Sequence, residues 1–461
     1  MNGQIFRNKS ENNLGLNILN LAVIYFIIMI LLFLIVKNTD HHPFNLYISI
    51  LWSLYTPVTI IGILGTIKSR KLSSSKIEDK TEHKLYITIP TVATDNVLPA
   101  LRRVLDSIYN YTPDFFQNFS VDLVIDEGSS GEGKLRQFVA GKNNTRIIVV
   151  PSDFQCQNGA IAKARALEYS VIYRRNLGET SADEFVYHLD DDTSVTRETI
   201  SSLAGFINTR SDKYDLAQGI LTFPHEFCKS GISRIADSVR PSDDLTRFFF
   251  FTGTLHMPLA GLHGEHLLVR ANVEDSIGWD FGPTKVEDSA FGLEFAKQFG
   301  RRSYFLNSRV KGSSPQSLKD LIRQRRRWYS GIISLAFSRR NRNLARIPLM
   351  IYALITMFSP MQYILVVFLI SLIISTPAFP VSFLFLPLWG INFSYQLWLY
   401  EEGYNINSES SSGKKVGRSW MRFLIMPLIY VSGSIEATAV ALGFIDYLKK
   451  DNSFQVIEKP I

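Results

Sequence analysis

Three consecutive carboxylates, Asp190, Asp191 and Asp192, directly follow a short apolar strand that begins near Glu184. Side chains at the carboxyl end of a strand lie at the rim of a sheet, where open α/β folds bind their ligands. Three adjacent acids repel one another unless a cation neutralises them, and Mg²⁺ and Mn²⁺ take oxygen ligands. Asp190 and Asp192 are therefore the predicted metal pair, which would share the ion with substrate phosphates. A solvated acidic turn is the alternative when the tripeptide is considered alone.

Asp126 and Lys163 are charged residues at the ends of other predicted elements. Asp126 ends an apolar strand and is followed by Gly128 and Gly131. Its carboxylate would accept hydrogen bonds from a base or ribose, or simply cap a turn. Lys163 lies one turn into a predicted helix, where it would reach a diphosphate or remain a solvated surface lysine.

Glu287 and Asp288 form a second acidic pair, at the start of a helix predicted to end at Phe299. Free N–H groups and the helix dipole stabilise carboxylates there, so capping explains the pair structurally. A carboxylate held near an acceptor hydroxyl can instead remove its proton, which contributes about 10²–10⁴-fold to a rate. Asp288 is the candidate for that role.

Gln324, Arg327 and Trp328 share one face of an amphipathic helix predicted from Ser317 to Ile332, because they lie at positions i, i+3 and i+4. Arg327 suits a leaving diphosphate, since a guanidinium binds phosphate oxygens bidentately. A basic face against anionic lipid is the favoured interpretation of three neighbours, Arg323, Arg325 and Arg326.

Alternating strand and helix patterns position these residues. Strands are predicted at 85–89, 121–125, 146–150, 216–223, 266–270 and 303–310, in addition to the one before Asp190. Apolar residues at helical spacing follow the first and third of these strands, at 98–108 and 159–175. This order predicts an α/β fold whose sheet is mostly parallel and has helices on both faces.

Long apolar runs flank this central region. The runs at 14–36 and 43–67 each exceed the roughly 20 residues that cross a bilayer, and others follow at 347–374, 379–400 and 423–445. Basic residues border the first two runs on their outer sides, which places the middle of the chain in the cytosol by the positive-inside rule. Two to four C-terminal crossings are expected.

The runs divide the chain into five predicted parts. These are a cytosolic N-terminus at 1–13, a transmembrane hairpin at 14–67, a cytosolic catalytic domain at 84–335, a C-terminal transmembrane bundle at 345–448 and a tail at 449–461. The amphipathic helix 317–332 would lie at the membrane interface. A polar loop is predicted at 401–418.

Composition limits the class of partner. The formal charge is +7, and much of the basic excess lies beside the apolar runs, which favours a lipid bilayer over nucleic acid. The two cysteines, Cys156 and Cys228, argue against a disulfide framework and suit a reducing compartment. A multi-pass membrane protein with a cytosolic catalytic domain is the resulting expectation.

Four motifs in one order resemble the membrane-bound family 2 glycosyltransferases, which include cellulose, chitin and hyaluronan synthases. They are Asp126, Asp190-x-Asp192, Glu287-Asp288 and Gln324-x-x-Arg327-Trp328. Several stretches most resemble the egghead-type β-1,4-mannosyltransferases of glycolipid synthesis, namely 163–167, 188–190, 236–240 and 287–291. The resemblance covers roughly 87–331. The stretches Ile89 to Asp95 and Gly264-Glu265-His266 depart from the family pattern.

The resemblance implies a GT-A, Rossmann-like catalytic fold, flanked by transmembrane helices, and a role for each matched residue. Asp190 and Asp192 would bind Mg²⁺ or Mn²⁺, and Asp288 would be the catalytic base. The implied donor-binding residues are Asp126, Lys163, Asp190, Gln324, Arg327 and Trp328. The implied acceptor region contains Glu287, Gly264 and Trp328.

The expected function is therefore an inverting, metal-dependent transfer of a hexose from a nucleotide sugar to a lipid or glycan acceptor. Mannose from GDP-mannose and a membrane lipid-linked acceptor are the favoured substrates, since the egghead-type resemblance implies them. A processive polysaccharide synthase that uses UDP-sugars is one alternative. A catalytically inactive membrane scaffold or transporter, which keeps the fold only to bind, is another; intact acids at all four motifs argue against it.

Overall fold

The computed structural model of the chain describes residues 27, 49–72, 80–338, 344–362, 385–411 and 418–451, with 418–427 described as backbone only. The predicted N-terminal segment 1–13 lies outside these residues. So does the predicted apolar run 14–36, apart from residue 27.

Strands and helices alternate through the central region. The strands are β1 (Lys84–Pro90), β2 (Phe119–Asp126), β3 (Thr145–Val150), β4 (Glu184–His188), β5 (Leu216–Thr222), β6 (Leu267–Arg270) and β7 (Ser303–Lys311). The α-helices are α1 (Thr56–Ser69), α2 (Leu98–Tyr111), α3 (Glu132–Val139), α4 (Ala162–Asn176), α5 (Arg197–Arg210), α6 (Gly231–Ala236), α7 (Val239–Asp243), α8 (Ala271–Ile277), α9 (Glu287–Phe299), α10 (Leu318–Phe337), α11 (Ile347–Met357), α12 (Leu386–Ser410) and α13 (Arg418–Lys449). A π-helix (Asp244–Thr254) continues directly from α7.

All seven strands join one sheet in the order β3-β2-β1-β4-β6-β5-β7. Strand β1 lies parallel to β2 and β4, whereas β6 is antiparallel to both β4 and β5. The sheet is therefore mixed and mostly parallel, as the sequence predicts. In the β4–β6 register His188 faces Leu267, so the residues after β4 and those before β6 meet at one rim.

Apolar packing covers both faces of the sheet. Alternate residues of β1 point to opposite sides. Leu85 and Ile87 join a core with Leu101 of α2 and Leu203 of α5. Tyr86 joins a second core with residues of α4 and α9, including Leu167, Phe291 and Phe295. The predicted helices on both faces are therefore confirmed, and they leave the rim at the carboxyl ends of β1, β2 and β4 for the site.

Three helices in the described residues are long and apolar enough to cross a membrane: Ser49–Ser69, Leu344–Gln362 and Leu428–Lys449. The first contains α1, which packs against the π-helix. The second contains α11, and the third is the later part of α13. The predicted polar loop at 401–418 is wrong in its first half, because α12 continues as helix to Ser410.

Helices α10 and α13 pack closely together. A Cβ atom on Gly443 of α13 would lie only 2.8 Å from the carbonyl oxygen of Arg326 in α10. Any larger residue would push the two backbones apart. The amphipathic helix predicted at 317–332 is thus confirmed as part of α10, and it is joined to a candidate membrane helix along its length.

Candidate active site

One cavity of about 550 Å³ opens at the carboxyl ends of β1, β2 and β4. The start of α9 and one face of α10 form its other walls. The cavity is lined by all ten residues that the sequence singles out: Asp126, Lys163, Asp190, Asp192, Gly264, Glu287, Asp288, Gln324, Arg327 and Trp328. Residues separated by about 200 positions in the chain are therefore brought to one place by the sheet topology.

Asp190, Asp192 and Glu265 form an acidic cluster whose oxygens lie within 4.8 Å of one another. Three carboxylate oxygens at this spacing fit a hard divalent cation. Burial and the charges of Asp190 and Asp192 raise the pKa of Glu265 to about 7. This is the electrostatic effect expected where buried acids converge.

The middle acid of the tripeptide has a different role. Asp191 is buried at the cavity wall, where it accepts a hydrogen bond of 2.7 Å from the Thr91 hydroxyl. Arg103 donates to the backbone carbonyl of Asp192 at 3.2 Å and to the Ser313 hydroxyl at 3.1 Å. These contacts fix the turn, so that Asp190 and Asp192 take part in the cluster.

The Lys163 ammonium lies among the acids of the cavity. It forms an ion pair with Asp190, donates to the Gly264 carbonyl at 3.1 Å and lies 3.9 Å from Glu287. Burial alone would lower the pKa of Lys163, but the charges of Asp190 and Glu287 outweigh burial and raise it above its ordinary value. Lys163 is thus a fixed positive charge between the acidic cluster and the start of α9.

Glu287 and Asp288 begin α9, as predicted. Asp288 Oδ1 accepts from the backbone N–H of Ser289 at 2.7 Å, so the carboxylate is held at the helix end while it lines the cavity. Burial and the neighbouring charge of Asp288 raise the pKa of Glu287, and Lys163 opposes them. A buried acid beside a second acid that faces the cavity is a typical arrangement for proton transfer.

Helix α10 contributes Arg327 to the cavity wall. Its first turn is capped by Ser317, whose hydroxyl accepts from the backbone N–H of Asp320 at 3.1 Å. Burial lowers the pKa of Arg327, and the charges of Glu287 and Asp190 oppose this effect. The Arg327 guanidinium therefore lies within electrostatic reach of both acidic groups of the cavity.

The predicted lipid-facing position of Arg325 is wrong. Its side chain is only 3% exposed and forms ion pairs with Asp237 and, at 3.2 Å, with Glu436 of α13. Arg326 forms an ion pair of 2.5 Å with Asp446 of the same helix. Helical spacing shows which residues share a face, but it does not show which neighbour covers that face.

Asp126 pairs with Arg165 of α4 at 2.6 Å and is more than half exposed at the cavity edge. Two residues of the site were not predicted. Glu265 precedes β6, and its sequence signal is only its departure from the family pattern beside Gly264. Arg240 lies in α7, 4.4 Å from the ring centre of Trp328; its sequence signal is only that it ends the stretch 236–240, which resembles the egghead-type enzymes.

The far end of the cavity reaches the candidate membrane helices. It is lined there by Leu349 and Tyr352 of α11 and by Glu436 of α13. Arg247 of the π-helix lies over the Tyr352 ring at 4.4 Å and pairs with Asp243 at 2.6 Å. One continuous space therefore runs from the acidic cluster to apolar and aromatic side chains of the helices that are long enough to cross a membrane.

Residues 185–399 match the family described as glycosyl transferase family group 2. The β-1,4-mannosyltransferase egh of Drosophila melanogaster is 26% identical over 252 residues, 54% of this chain and 51% of that protein. The β-1,4-mannosyltransferase bre-3 of Caenorhabditis elegans is 26% identical over 328 residues, 68% of this chain and 67% of that protein. The chain thus spans about half the length of the fruit-fly relative.

A solved structure has the same overall fold. It is the mannosyltransferase PcManGT from Pyrobaculum calidifontis in complex with GDP-Man and Mn2+, which aligns with a TM-score of 0.51 over 88% of this chain and 99% of that chain. The sequence identity is 11%, so the likeness concerns the fold. The matched family model and these curated relatives are glycosyltransferases, and the described sheet and helices have a GT-A-like fold.

Proposed function

We propose that this protein transfers mannose from GDP-mannose to the hydroxyl group of a membrane lipid-linked acceptor, with inversion at the anomeric carbon. The observation that carries the proposal is the single cavity, which joins an acidic metal-type cluster, an acid at the start of α9 and side chains of candidate membrane helices. The names of the curated relatives support the choice of mannose.

The donor would bind along the sheet rim. Asp126 would accept hydrogen bonds from the base or ribose, and Lys163 and Arg327 would bind the diphosphate from either side. Asp190, Asp192 and Glu265 would hold the Mg²⁺ or Mn²⁺ ion, because their oxygens converge within 4.8 Å. When bound, such an ion neutralises charge on the diphosphate.

Asp288 would act as the base. Its Oδ1 is held by the Ser289 N–H, which fixes the carboxylate at the end of α9. It would take the proton of the acceptor hydroxyl while that oxygen bonds to the anomeric carbon. The bond from that carbon to the diphosphate oxygen breaks, and the nucleoside diphosphate leaves with the electron pair. Direct displacement by the acceptor, with no enzyme nucleophile, inverts the configuration.

The acceptor would enter from the membrane side. Leu349 and Tyr352 offer apolar and aromatic surface, and Trp328 and the Asp243–Arg247 pair, which also line the cavity, offer sugar-binding chemistry. Aromatic rings and paired charges at the end of an apolar passage suit a sugar carried on a lipid.

The proposed orientation places residues 84–335 in the cytosol, with the membrane helices around them. Asn110, Asn118 and Asn143 each begin a sequon and are all exposed. Their accessibility means that glycosylation reports on the compartment rather than on burial. Expression in a eukaryotic host should leave all three without glycan, and a glycan on any of them would reverse the orientation.

The experiment that tests the activity supplies membranes containing the protein with labelled GDP- and UDP-sugars, with and without Mn²⁺ or a chelator. A lipid-extractable product that carries one added hexose, formed from GDP-mannose, is expected. Label in a lipid-free polysaccharide of high molecular weight would favour a processive synthase instead. Absence of transfer from every donor, with nucleotide-sugar binding retained, would favour a binding scaffold.

A further inference from the structure

Two guanidinium groups lie against the Trp328 ring. Arg240 and Arg325 each lie 4.4 Å from the centre of its ring. Cations stack favourably on the faces of an indole, and more so when they are shielded from water. The Trp328 side chain thus has its orientation fixed by two charged partners while it lines the cavity.

Arg325 also contacts a second cavity residue. Its Nη1 donates to the Gln324 Oε1 at 2.8 Å. The guanidinium is itself anchored by an ion pair with Asp237, which is 1% exposed, and by Glu436 at 3.2 Å. Glu436 also accepts from the Tyr329 hydroxyl at 3.1 Å. An acid inside an apolar helix is costly unless a specific partner needs it.

We infer that Arg325, clamped by Asp237 and Glu436, is a positioning residue that orients Gln324 and Trp328 toward the cavity. The planar guanidinium can serve several acceptors and a ring at once, which a lysine ammonium cannot do in the same geometry. Glu436 of the membrane helix α13 thereby helps to set the shape of the site. The inference rests on the proposed function only where transfer is the measured quantity.

Arg326 provides a matched control on the same helix. It joins α10 to α13 through Asp446, with Nε to Oδ2 at 2.6 Å, and so makes the same kind of link between the same two helices. Its side chain is 32% exposed, however, and no described contact links it to Gln324 or Trp328. Arg325→Lys and Arg326→Lys therefore separate positioning of the site from attachment of the helices.

The first measurement is a double-mutant cycle on transfer. Arg325→Lys should lower kcat/KM by about 10–100-fold, as loss of a group that orients a ligand usually does, and Arg326→Lys by less than about 3-fold. In a Gln324→Ala/Trp328→Ala background, Arg325→Lys should have little further effect, because it acts through those residues. Additive losses in the cycle, or an equal loss in Arg326→Lys, would overturn the inference.

The second measurement needs no activity. Trp328 is one of six tryptophans, so its emission is isolated by subtracting the spectrum of the matching Trp328→Phe variant. The difference spectrum should shift in Arg325→Lys and stay unchanged in Arg326→Lys. Failure of wild-type transfer would refute the proposed function, while this spectrum would still test Arg325. An unshifted spectrum in folded Arg325→Lys contradicts the inference.

A third variant keeps the inference testable if Arg325→Lys does not fold. Glu436→Gln removes the negative charge but keeps an oxygen that can accept hydrogen bonds from Arg325 and Tyr329. Thermal unfolding in detergent reports whether this variant is folded. A smaller shift of Trp328 emission and a smaller loss of kcat/KM are expected. If folded Glu436→Gln shows neither change, Arg325 is not clamped as inferred.

Discussion

Two groups of acidic side chains lie close together at the carboxyl end of β4. At His188 the strand is buried, and Glu274 lies 2.8 Å from its Nε2, pairs with Arg174 at 2.6 Å and accepts from the Trp279 Nε1 at 2.7 Å. Just beyond the strand, Asp190 and Asp192 meet Glu265 in the cavity. The first group encloses each charge with partners, and the second brings like charges together.

The direction of the pKa shifts distinguishes the two groups. Burial alone would raise the pKa of Glu274, but Arg174 and His188 lower it to about 2. Burial and the two aspartates raise that of Glu265 to about 7. An acid that the fold stabilises in its charged form contributes to stability, whereas an acid that the fold destabilises is typical of a binding site.

Loss of an acid from the cavity group should have the largest effect on activity. Asp192→Ala should remove donor binding and metal dependence together and lower transfer by about 10³-fold or more, the scale of several kcal/mol of lost charge stabilisation. Asp191→Asn is the control, because Asp191 accepts from Thr91 instead of joining the cluster. Titration of transfer with Mn²⁺ and a chelator checks this prediction, and chelator-resistant activity in the wild type would contradict it.

Asp288→Asn tests the proposed base at the other wall of the cavity. The amide keeps an oxygen that can accept from the Ser289 N–H, so the helix end should remain intact. Transfer should fall by about 10²–10⁴-fold because the proton acceptor is gone, while affinity for the nucleotide sugar changes only a few-fold. Equilibrium donor binding beside single-turnover transfer makes the comparison. Equal losses in both would identify Asp288 as a donor ligand.

Glu274→Gln should give the opposite result, a loss of stability with activity per folded molecule preserved. It removes the nearer of two acids beside Arg174, which is 1% exposed and keeps Asp122 at 3.6 Å, and breaking such a buried pair costs about 3–5 kcal/mol. Asp275→Asn is the adjacent control, because its partner Arg175 is half exposed and the pair should contribute about 0–1 kcal/mol. Thermal unfolding in detergent compares the two; similar losses would show that burial does not decide the contribution.

Lowering the pH should remove the stabilisation that the buried Glu274 provides. The folded pKa of Glu274, about 2, lies below its ordinary value of 4.5, so the unfolded chain takes up a proton first as pH falls. Its stabilisation is complete above pH 4.5 and is lost between there and about pH 2, on the order of 3 kcal/mol in all. Unfolding midpoints across this range should fall less steeply for Glu274→Gln than for the wild type.

Much of the site could be predicted because its residues follow local patterns. Asp190 and Asp192 follow an apolar strand, and Glu287 and Asp288 precede a helix with periodic apolar residues. The position of each motif in the fold could therefore be predicted from its local sequence pattern. No local sequence pattern predicts the position of Glu265. It reaches the cluster only because β6 runs antiparallel to β4, and the short pattern of β6 carries no information on strand direction. Direction and pairing depend on contacts made across the whole sheet.

The same limit explains the error at Arg325. An arginine on an amphipathic helix suits lipid headgroups or a buried acid equally well, and the difference lies in what packs above it. Asp237 and Glu436 come from segments about 90 residues before and 110 residues after Arg325.

Gly264→Ala should have the smallest effect, a few-fold change in ligand affinity, and it tests the acidic group of the cavity at a single point. The added methyl carbon would lie 2.6 Å from the Lys163 Nζ and 3.4 Å from the Asp288 Oδ2. Only the first contact is too close, and the atom that must move is the tip of a flexible side chain. Gly133→Ala is the control, because nothing lies within 4 Å of its new carbon.

Displacing the Lys163 ammonium should change the balance of charge without removing any acid. Asp190 would lose part of its neutralisation, so the affinity for Mn²⁺ should rise a few-fold in the absence of donor, as an acidic site with less cation nearby attracts metal more strongly. Donor affinity should fall by a similar factor, because Lys163 is a proposed diphosphate ligand. Calorimetric titration with Mn²⁺ and then with nucleotide sugar measures both. If Gly264→Ala weakens Mn²⁺ binding, Lys163 supports the metal site instead of competing with it, and the cavity acids are then stabilised by a fixed partner as Glu274 is.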